Sequence, residues 1–358
     1  MLWWKPRRQF RGTDDFASDA DFLECLYRLV LGRRPDEGGF SHHLQRLTSG
    51  EANRVRVLRD FLTSPECSRF RLLKFPVHHI LQDYVPVADP ALFQPYVQAQ
   101  PLAGPVLCEL ANPRKWLDPE WFATLLEMPG MAQELETMHR KTYEFVQTIY
   151  GLRHLGGLGP DSRVLSVGAG HDYLLYWLAN RVGQVVATDL YEGAWSTDHA
   201  KEGDPDVLED PTKYAPFDYR QDHLTFLKMD GRKLEFPDQS FDAIYSLSSI
   251  EHFGGPQGTA QAMAEMGRVL RPGGLAAIAT EMVVNGQPHE ETFLPQELVD
   301  HVVAPSGLKL VQLPVFELPS YTLEHPIDLP EESEFRPHLL LRVDNTLFTS
   351  VMLLFVKE

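Results

Sequence analysis

Residues 163–172, RVLSVGAGHD, end a hydrophobic run at Gly168-Ala169-Gly170 and pass it to a second apolar stretch, LLYWLANRVG. The run VLSVG is apolar throughout, as expected of a parallel strand buried on both faces. Gly168 and Gly170 allow a tight turn and close backbone approach to a ligand. The stretch that follows reads as a helix whose first NH groups aim at that ligand. A second run, QVVATD, ends on Asp189, 21 residues beyond Gly168 and in range to grip a pair of ribose hydroxyls. This arrangement describes a nucleotide-type pocket at the carboxyl edge of a parallel sheet. A purely structural turn is the alternative for the Gly-x-Gly taken alone. The dinucleotide fingerprint wants a third glycine at 173, where this chain has Tyr173, and no Lys-Ser/Thr follows as in a Walker loop.

The order of later segments narrows the class. FLKMDGRKL carries a third apolar segment to Asp230, and SFDAIYSLSSIEHF reads as a fourth strand from about 242 to 247. The helix QAMAEMGRVL closes on Arg271-Pro272-Gly273-Gly274, a turn before the fifth strand, LAAIAT. LFTSVMLLFVKE is a final strand in an antiparallel edge position. Asp242 reads as a strand-start residue.

From residue 160 to the end, VLSVGAG, TD at 188–189, MDG at 229–231, FPDQSFDAIYSLSSIEHF and RVLRPGGLAAIAT resemble class I S-adenosylmethionine-dependent methyltransferases of the type 11 kind. The resemblance implies an α/β fold: a Rossmann-like seven-stranded methyltransferase sheet behind an N-terminal all-helical domain. It also implies S-adenosylmethionine as cofactor. The Gly168, Ala169 and Gly170 loop approaches its methionine part, Asp189 its ribose, and Asp230 its adenine amino group, with Met229 beside the ring. Leu190 and Gly231 adjoin these acids. Ser246 and Leu247 border the reactive end. Where the family often has a third glycine stands Asp172, whose carboxylate faces the methionine amine or a water.

The cofactor's methyl group is already activated, so the protein mainly aligns a nucleophile with the carbon–sulfur bond and needs no metal. A hydroxyl acceptor calls for a base, and His252 with Glu251 before it are the catalytic candidates at the strand-four exit. His289, Glu290 and Glu291 are further substrate-contact candidates. Their spacing permits a metal, but no further ligand pattern supports one.

Composition sets limits on partners and compartment. The formal net charge of −17 argues against nucleic acid and anionic membranes. The charge is uneven: residues 1–74 hold 14 Lys/Arg against 10 Asp/Glu, the remainder 19 against 40. This places domain boundaries at 1–74, a connector at 75–130, and the catalytic domain at 131–358. Cys25, Cys67 and Cys108 form no CxxC pair, which fits a reducing, cytoplasmic setting. No apolar stretch reaches the roughly 20 residues of a membrane span. The start, MLWWKPRRQFRG, lacks a signal-peptide core; surface contact with a membrane and a disordered or packed tail are both open.

In the first module DADFLECLYRLVLGR puts Phe22, Leu26, Leu29 and Val30 at helical spacing, capped by Asp19 or Asp21. A second helix groups Phe40, Leu44 and Leu47; a third turns Val55, Leu58, Phe61 and Leu62 inward; SPECSRF begins a fourth. The run LYRLVLGRRPDEGGFSHHLQRLTSG with VLRDFLTSPE resembles a bacterial family of short helical domains of unassigned function that often accompanies surface-glycan enzymes. That company makes a glycan one candidate acceptor, beside other small molecules, and the module itself a possible protein-partner site. Its adjacent His42 and His43 read as solvent-facing. Short helices are expected near 88–99 and 118–127, and a long amphipathic helix from Met131 to Leu155. The segment from Tyr191 to Tyr219, with Trp195, Tyr214 and Phe217, is long for a strand link. It reads either as a lid or substrate wall, or as packing over the sheet.

The leading function is methyl transfer from S-adenosylmethionine to an oxygen or nitrogen acceptor. Two alternatives stand beside it: a methyltransferase-like binding or scaffold protein without turnover, and a nicotinamide-dependent oxidoreductase.

Overall fold

A computed structural model describes residues 16, 18–31, 33–64, 66, 83–129, 131, 138–192, 203–329 and 338–358. The amino-terminal tail, Cys67, most of the expected fourth helix, the charge boundary near 74 and Trp195 lie outside the described residues.

Three helices come first: α1 (Asp19–Leu29), α2 (Glu37–Thr48) and α3 (Arg54–Thr63). Each starts on a polar cap: Ser18 accepts from the Asp21 amide, Asp36 from Gly39, and Asn53 from Arg56. Ser18 thus caps α1 in place of the expected Asp19 or Asp21. These acids sit in the first turn, where they favour the helix dipole. Phe22, Leu26 and Val30 are buried together with Val57, Leu58 and Phe61, while Val55, expected inward, is 36% exposed. The signature residues hold one another. The Tyr27 ring lies edge-on to Phe61 at 4.9 Å, and the Arg33 guanidinium sits 4.9 Å over Tyr27. Arg33 also pairs with Asp36 at 3.0 Å and with Glu66.

A 3-10 turn over Pro90–Tyr96 and α4 (Pro119–Leu126) fall where short helices were expected. The long helix α5 is Arg140–His154 and starts later than its sequence pattern. Met138 has a left-handed φ of 48°, and extended His139 caps α5 by accepting from the Lys141 amide at 3.1 Å. Helix α3 packs on α4, α4 on α5, and α5 on the sheet.

The sheet contains β1 (Arg163–Val167), β2 (Gln184–Asp189), β3 (Leu224–Lys228), β4 (Phe241–Leu247), β5 (Leu270–Val283), β6 (Lys309–Leu310) and β7 (Thr346–Val356). Helix α6 (Tyr173–Ala179) links β1 to β2, and α7 (Gly255–Val269) links β4 to β5. The order is β3-β2-β1-β4-β5-β7; the first five are parallel and β7 runs antiparallel. This is the expected Rossmann-like order. It reverses between β1 and β4, and in folds of this order ligands bind at the carboxyl ends of the strands at that point.

Two details differ from expectation. β7 is interior, not an edge: Leu341–Val343, Glu109–Leu110 and β6 pair in succession along its outer side. Its residues from Phe348 to Phe355 are all buried, so their backbone groups need partners on both sides. The seventh position is thereby shared by three short segments. The RPGG motif is a bulge within β5 rather than a turn before it: Phe241 pairs with Leu270 but Ala243 with Leu275, and Gly273 takes a φ of 74°. Asp242 is structural, accepting from the Arg163 amide at 2.6 Å and pairing with Arg271 at 2.7 Å.

The described part of the β2–β3 link packs on α6. Tyr214 meets His171, Phe217 meets Tyr173 and Tyr219 meets Tyr176, at 4.8, 5.2 and 5.0 Å between rings. No helix among the described residues is long and apolar enough to cross a membrane.

Candidate active site

The β1 exit is built by backbone geometry. Gly168 and Gly170 have φ of 67° and 48°, in the left-handed region that favours glycine. The Gly168 and Ala169 amides both donate to Thr188 O, at 2.9 and 3.0 Å. The Gly170 amide donates to Asp189 Oδ2 at 2.9 Å, so the acid ending β2 holds the glycine loop directly. Tyr191, buried and at a φ of 47°, completes the corner: its hydroxyl donates to Gly170 O at 2.9 Å and its amide to Asp189 Oδ1 at 3.3 Å. Burial first, and Asp189 second, raise the Tyr191 pKa, keeping it a neutral donor.

The β3 exit lies beside it. The Met229 amide donates to Asp189 O at 2.9 Å, bringing Met229, Asp230 and Gly231 next to the ribose candidate. Leu190, between the two, is 42% exposed. Hydrogen bonds from Arg232 hold the Asp230 carboxyl below its usual pKa. Phe253 from the β4 exit is wedged between the two loops. A Cβ on Gly168 would come within 3.0 Å of its ring, and one on Gly231 within 2.7 Å. At Gly168 the Ser249 Cβ would be closer still, at 2.5 Å, and at Gly231 the Val167 Cγ1 lies at 2.8 Å, so the Phe253 ring and these neighbours together leave no room for a side chain at either position.

Two residues expected at the cofactor also make structural contacts. The Asp172 carboxylate caps α6, accepting from the Leu174 and Leu175 amides at 2.7 and 3.2 Å, with the Tyr245 hydroxyl at 3.4 Å. It fixes the helix start behind the loop, a role fitted to an acid one position before the first helical residue. Ser246 is fully buried and donates to Val167 O at 2.7 Å, tying β4 to β1. The β4 exit instead presents Ser249, which donates to Gly168 O at 2.8 Å.

His252 and Glu251 point apart. His252 Nδ1 lies 3.0 Å from Glu291 Oε1, so one member of the His289-Glu290-Glu291 run reaches the candidate base. Glu251 is buried, and its Oε2 accepts from Thr280 at 2.8 Å. Burial, then the neighbouring Glu281 charge, pushes the Glu251 pKa up to about 7. Because folding raises this pKa, the protonated form belongs to the folded state. Its contribution to stability is complete below the ordinary carboxylate pKa of 4.5 and is lost as pH rises through about 7. Glu251→Gln should flatten the stability profile, recovering about 2–3 kcal/mol at alkaline pH relative to the wild type. Urea unfolding at about pH 5 and about pH 8.5 checks this, and parallel curves for the two proteins would contradict it.

Beside Glu251 lies a buried ionic cluster whose members are scattered along the sequence. Arg140, at the start of α5, reaches Glu281 at 2.7 Å and Glu144 at 3.3 Å. Glu144, fully buried, also takes Lys141 at 3.1 Å and the Ser248 and Ser350 hydroxyls at 3.0 and 2.5 Å. Burial opposes charge on both, but Glu281, Glu144 and Glu251 keep the Arg140 pKa high, while Lys141 and Arg140 keep that of Glu144 low. The cluster pins α5 across the carboxyl ends of β4 and β5. Among the described residues, no three His, Cys, Asp or Glu side chains converge as for a metal ion.

Residues 165–278 match the family model described as a methyltransferase domain, and residues 9–70 match that of a domain of unknown function. Methyltransferase GfsG of Streptomyces halstedii is 29% identical over 191 residues, 53% of this chain and 57% of the relative. Sterol 24-C-methyltransferase erg6 of Aspergillus fumigatus is 30% identical over 198 residues, 52% of this chain and 46% of the relative. The chain thus spans about half the length of these curated relatives. A solved S-adenosylmethionine-dependent methyltransferase from Aquifex aeolicus aligns over 57% of this chain and 88% of its own, at 17% identity and a TM-score of 0.32.

Proposed function

We propose that this chain, which carries a class I S-adenosylmethionine methyltransferase-like domain behind a small helical domain, transfers the cofactor's methyl group to a small-molecule acceptor. The observation that carries the reading is the bond from the Gly170 amide to the Asp189 carboxylate at the carboxyl ends of β1 and β2. The donor set fits the cofactor. Asp189 suits the ribose hydroxyls, Met229, Asp230 and Gly231 the adenine, and the Gly168–Gly170 loop the methionine part, with Leu190 as an apolar neighbour. The bound cofactor supplies a methyl group on a sulfonium, already activated for in-line displacement.

What remains for the protein is to align the acceptor and, where it carries a proton, to remove it. His252, with the Glu291 carboxylate 3.0 Å from its Nδ1, is suited to that step, and buried Glu251 holds the turn behind it. The dyad favours an acceptor that must lose a proton: a hydroxyl, glycan hydroxyls included, or a protonated amine. His252→Ala should slow turnover by about 100-fold while cofactor affinity stays within roughly twofold. An unchanged rate would remove His252 from the catalysis. A cytoplasmic setting and a protein partner for the helical domain are further parts of this proposal; its affinity for other proteins is open to direct pull-down.

Parallel calorimetric titrations with S-adenosylmethionine and with NAD test the reading itself. It expects saturable binding of the first and none of the second. The reverse pattern would favour an oxidoreductase, and cofactor binding without methyl transfer to any acceptor would favour a scaffold.

A further inference from the structure

Arg232 stands two residues after Asp230 and returns to it three times. Its backbone amide donates to Asp230 Oδ1 at 2.9 Å. Its Nε donates to Oδ1 and Oδ2 at 2.9 and 3.0 Å, and its Nη2 to Oδ2 at 2.7 Å. The other arm, Nη1, donates to Phe253 O at 3.4 Å. There the chain turns through Gly254 at a φ of 88°, and a Cβ on Gly254 would lie 3.1 Å from Nη1. The guanidinium is therefore held between the β3 exit and the turn that carries the Phe253 ring.

Both side chains are substantially exposed, at 40% for Arg232 and 35% for Asp230. An ion pair that wet adds little to stability, so folding alone gives weak reason for so complete an engagement. A carboxylate offers about four acceptor positions; three N–H groups engage it, the Nε–H shared between the two oxygens, which leaves room for one further donor. The planar fork also fixes the orientation of the carboxylate plane, which a lysine ammonium would leave free to turn.

We infer that Arg232 is a positioning residue for base recognition: it fixes the Asp230 carboxylate with one acceptor position left for the amino group of the cofactor's adenine. The inference rests on the S-adenosylmethionine reading above. A base bearing a carbonyl in place of that amino group brings an acceptor against an acceptor, so the site discriminates against it. Arg232 thus sets purine selectivity without touching the purine.

The test uses the full chain and two ligands, S-adenosylhomocysteine and its inosine counterpart, S-inosylhomocysteine, by calorimetry. The wild type is expected to prefer the adenine ligand by about 30-fold or more. Arg232→Met and Arg232→Lys should both bring that ratio to within about threefold, chiefly by weakening the adenine ligand. Melting curves of both variants accompany the titrations. A lowered melting temperature with an unchanged ratio would overturn the inference, since it would mean that Arg232 only ties loops together. A lysine variant with the wild-type ratio would also overturn it, because charge rather than the fork would then suffice. Failure of the wild type to bind S-adenosylhomocysteine would overturn the parent reading as well. Binding with no preference between the ligands would overturn this inference alone.

Discussion

Asp189→Ala should lower the affinity of the full chain for S-adenosylhomocysteine by about 10- to 100-fold, the range expected for lost hydrogen bonds to a charged group. The size follows from two roles of one carboxylate. It is suited to the ribose hydroxyls, and it holds the Gly170 amide, so its loss also loosens the loop meant for the methionine part. Asp189→Asn keeps an acceptor for Gly170 but loses the charge, and should fall between the wild type and the alanine variant. Calorimetric titration of the three proteins checks the order. Equal affinity across the series would remove Asp189 from the cofactor site.

The second large effect is on stability. Arg140→Met takes the guanidinium from mostly buried Glu281 and leaves fully buried Glu144 with Lys141 as its remaining cation. Breaking such a pair from one side costs about 3–5 kcal/mol, because the stranded charge keeps its desolvation penalty. A marked drop in melting temperature is therefore expected. Arg140→Met combined with Glu144→Met should be less damaging than the sum of the single changes, since the two groups interact. Strict additivity would contradict the cluster as described.

The legible parts of this molecule share a physical cause. Strands buried on both faces leave uninterrupted apolar runs, so β1, β2, β4 and β7 could be read as sequence. The glycine turn and the acid at the end of QVVATD mark the crevice because glycine and a carboxylate are hard to replace there. Single segments were ambiguous; their order was not.

What escaped the sequence depends on long-range partners. The second role of Asp172 was hidden: besides the ligand contact expected of it, its carboxylate caps the first amides of α6. Ser246, expected to border the reactive end of the cofactor, is fully buried with its hydroxyl on Val167 O. Phe253 gave no signal of its own, because only folding brings its ring against Gly168 and Gly231. Glu144 did leave a trace: it shares the buried side of α5 with Tyr143 and Val146, where an acid needs a partner. Arg140, Glu281 and Ser350 are far from one another in sequence, and only folding brings them to it. β7 read as an edge strand because nothing local in Glu109–Leu110 or Leu341–Val343 shows that they pair beside it.

The most direct measurement of the central claim is a crystal structure of the full chain with S-adenosylhomocysteine. The account predicts the ribose hydroxyls on the Asp189 carboxylate, the adenine amino group at Asp230, and the amino-acid part against the Gly168–Gly170 loop. A ribose bound away from Asp189, or a ligand that leaves the β1–β4 crevice empty, would contradict it.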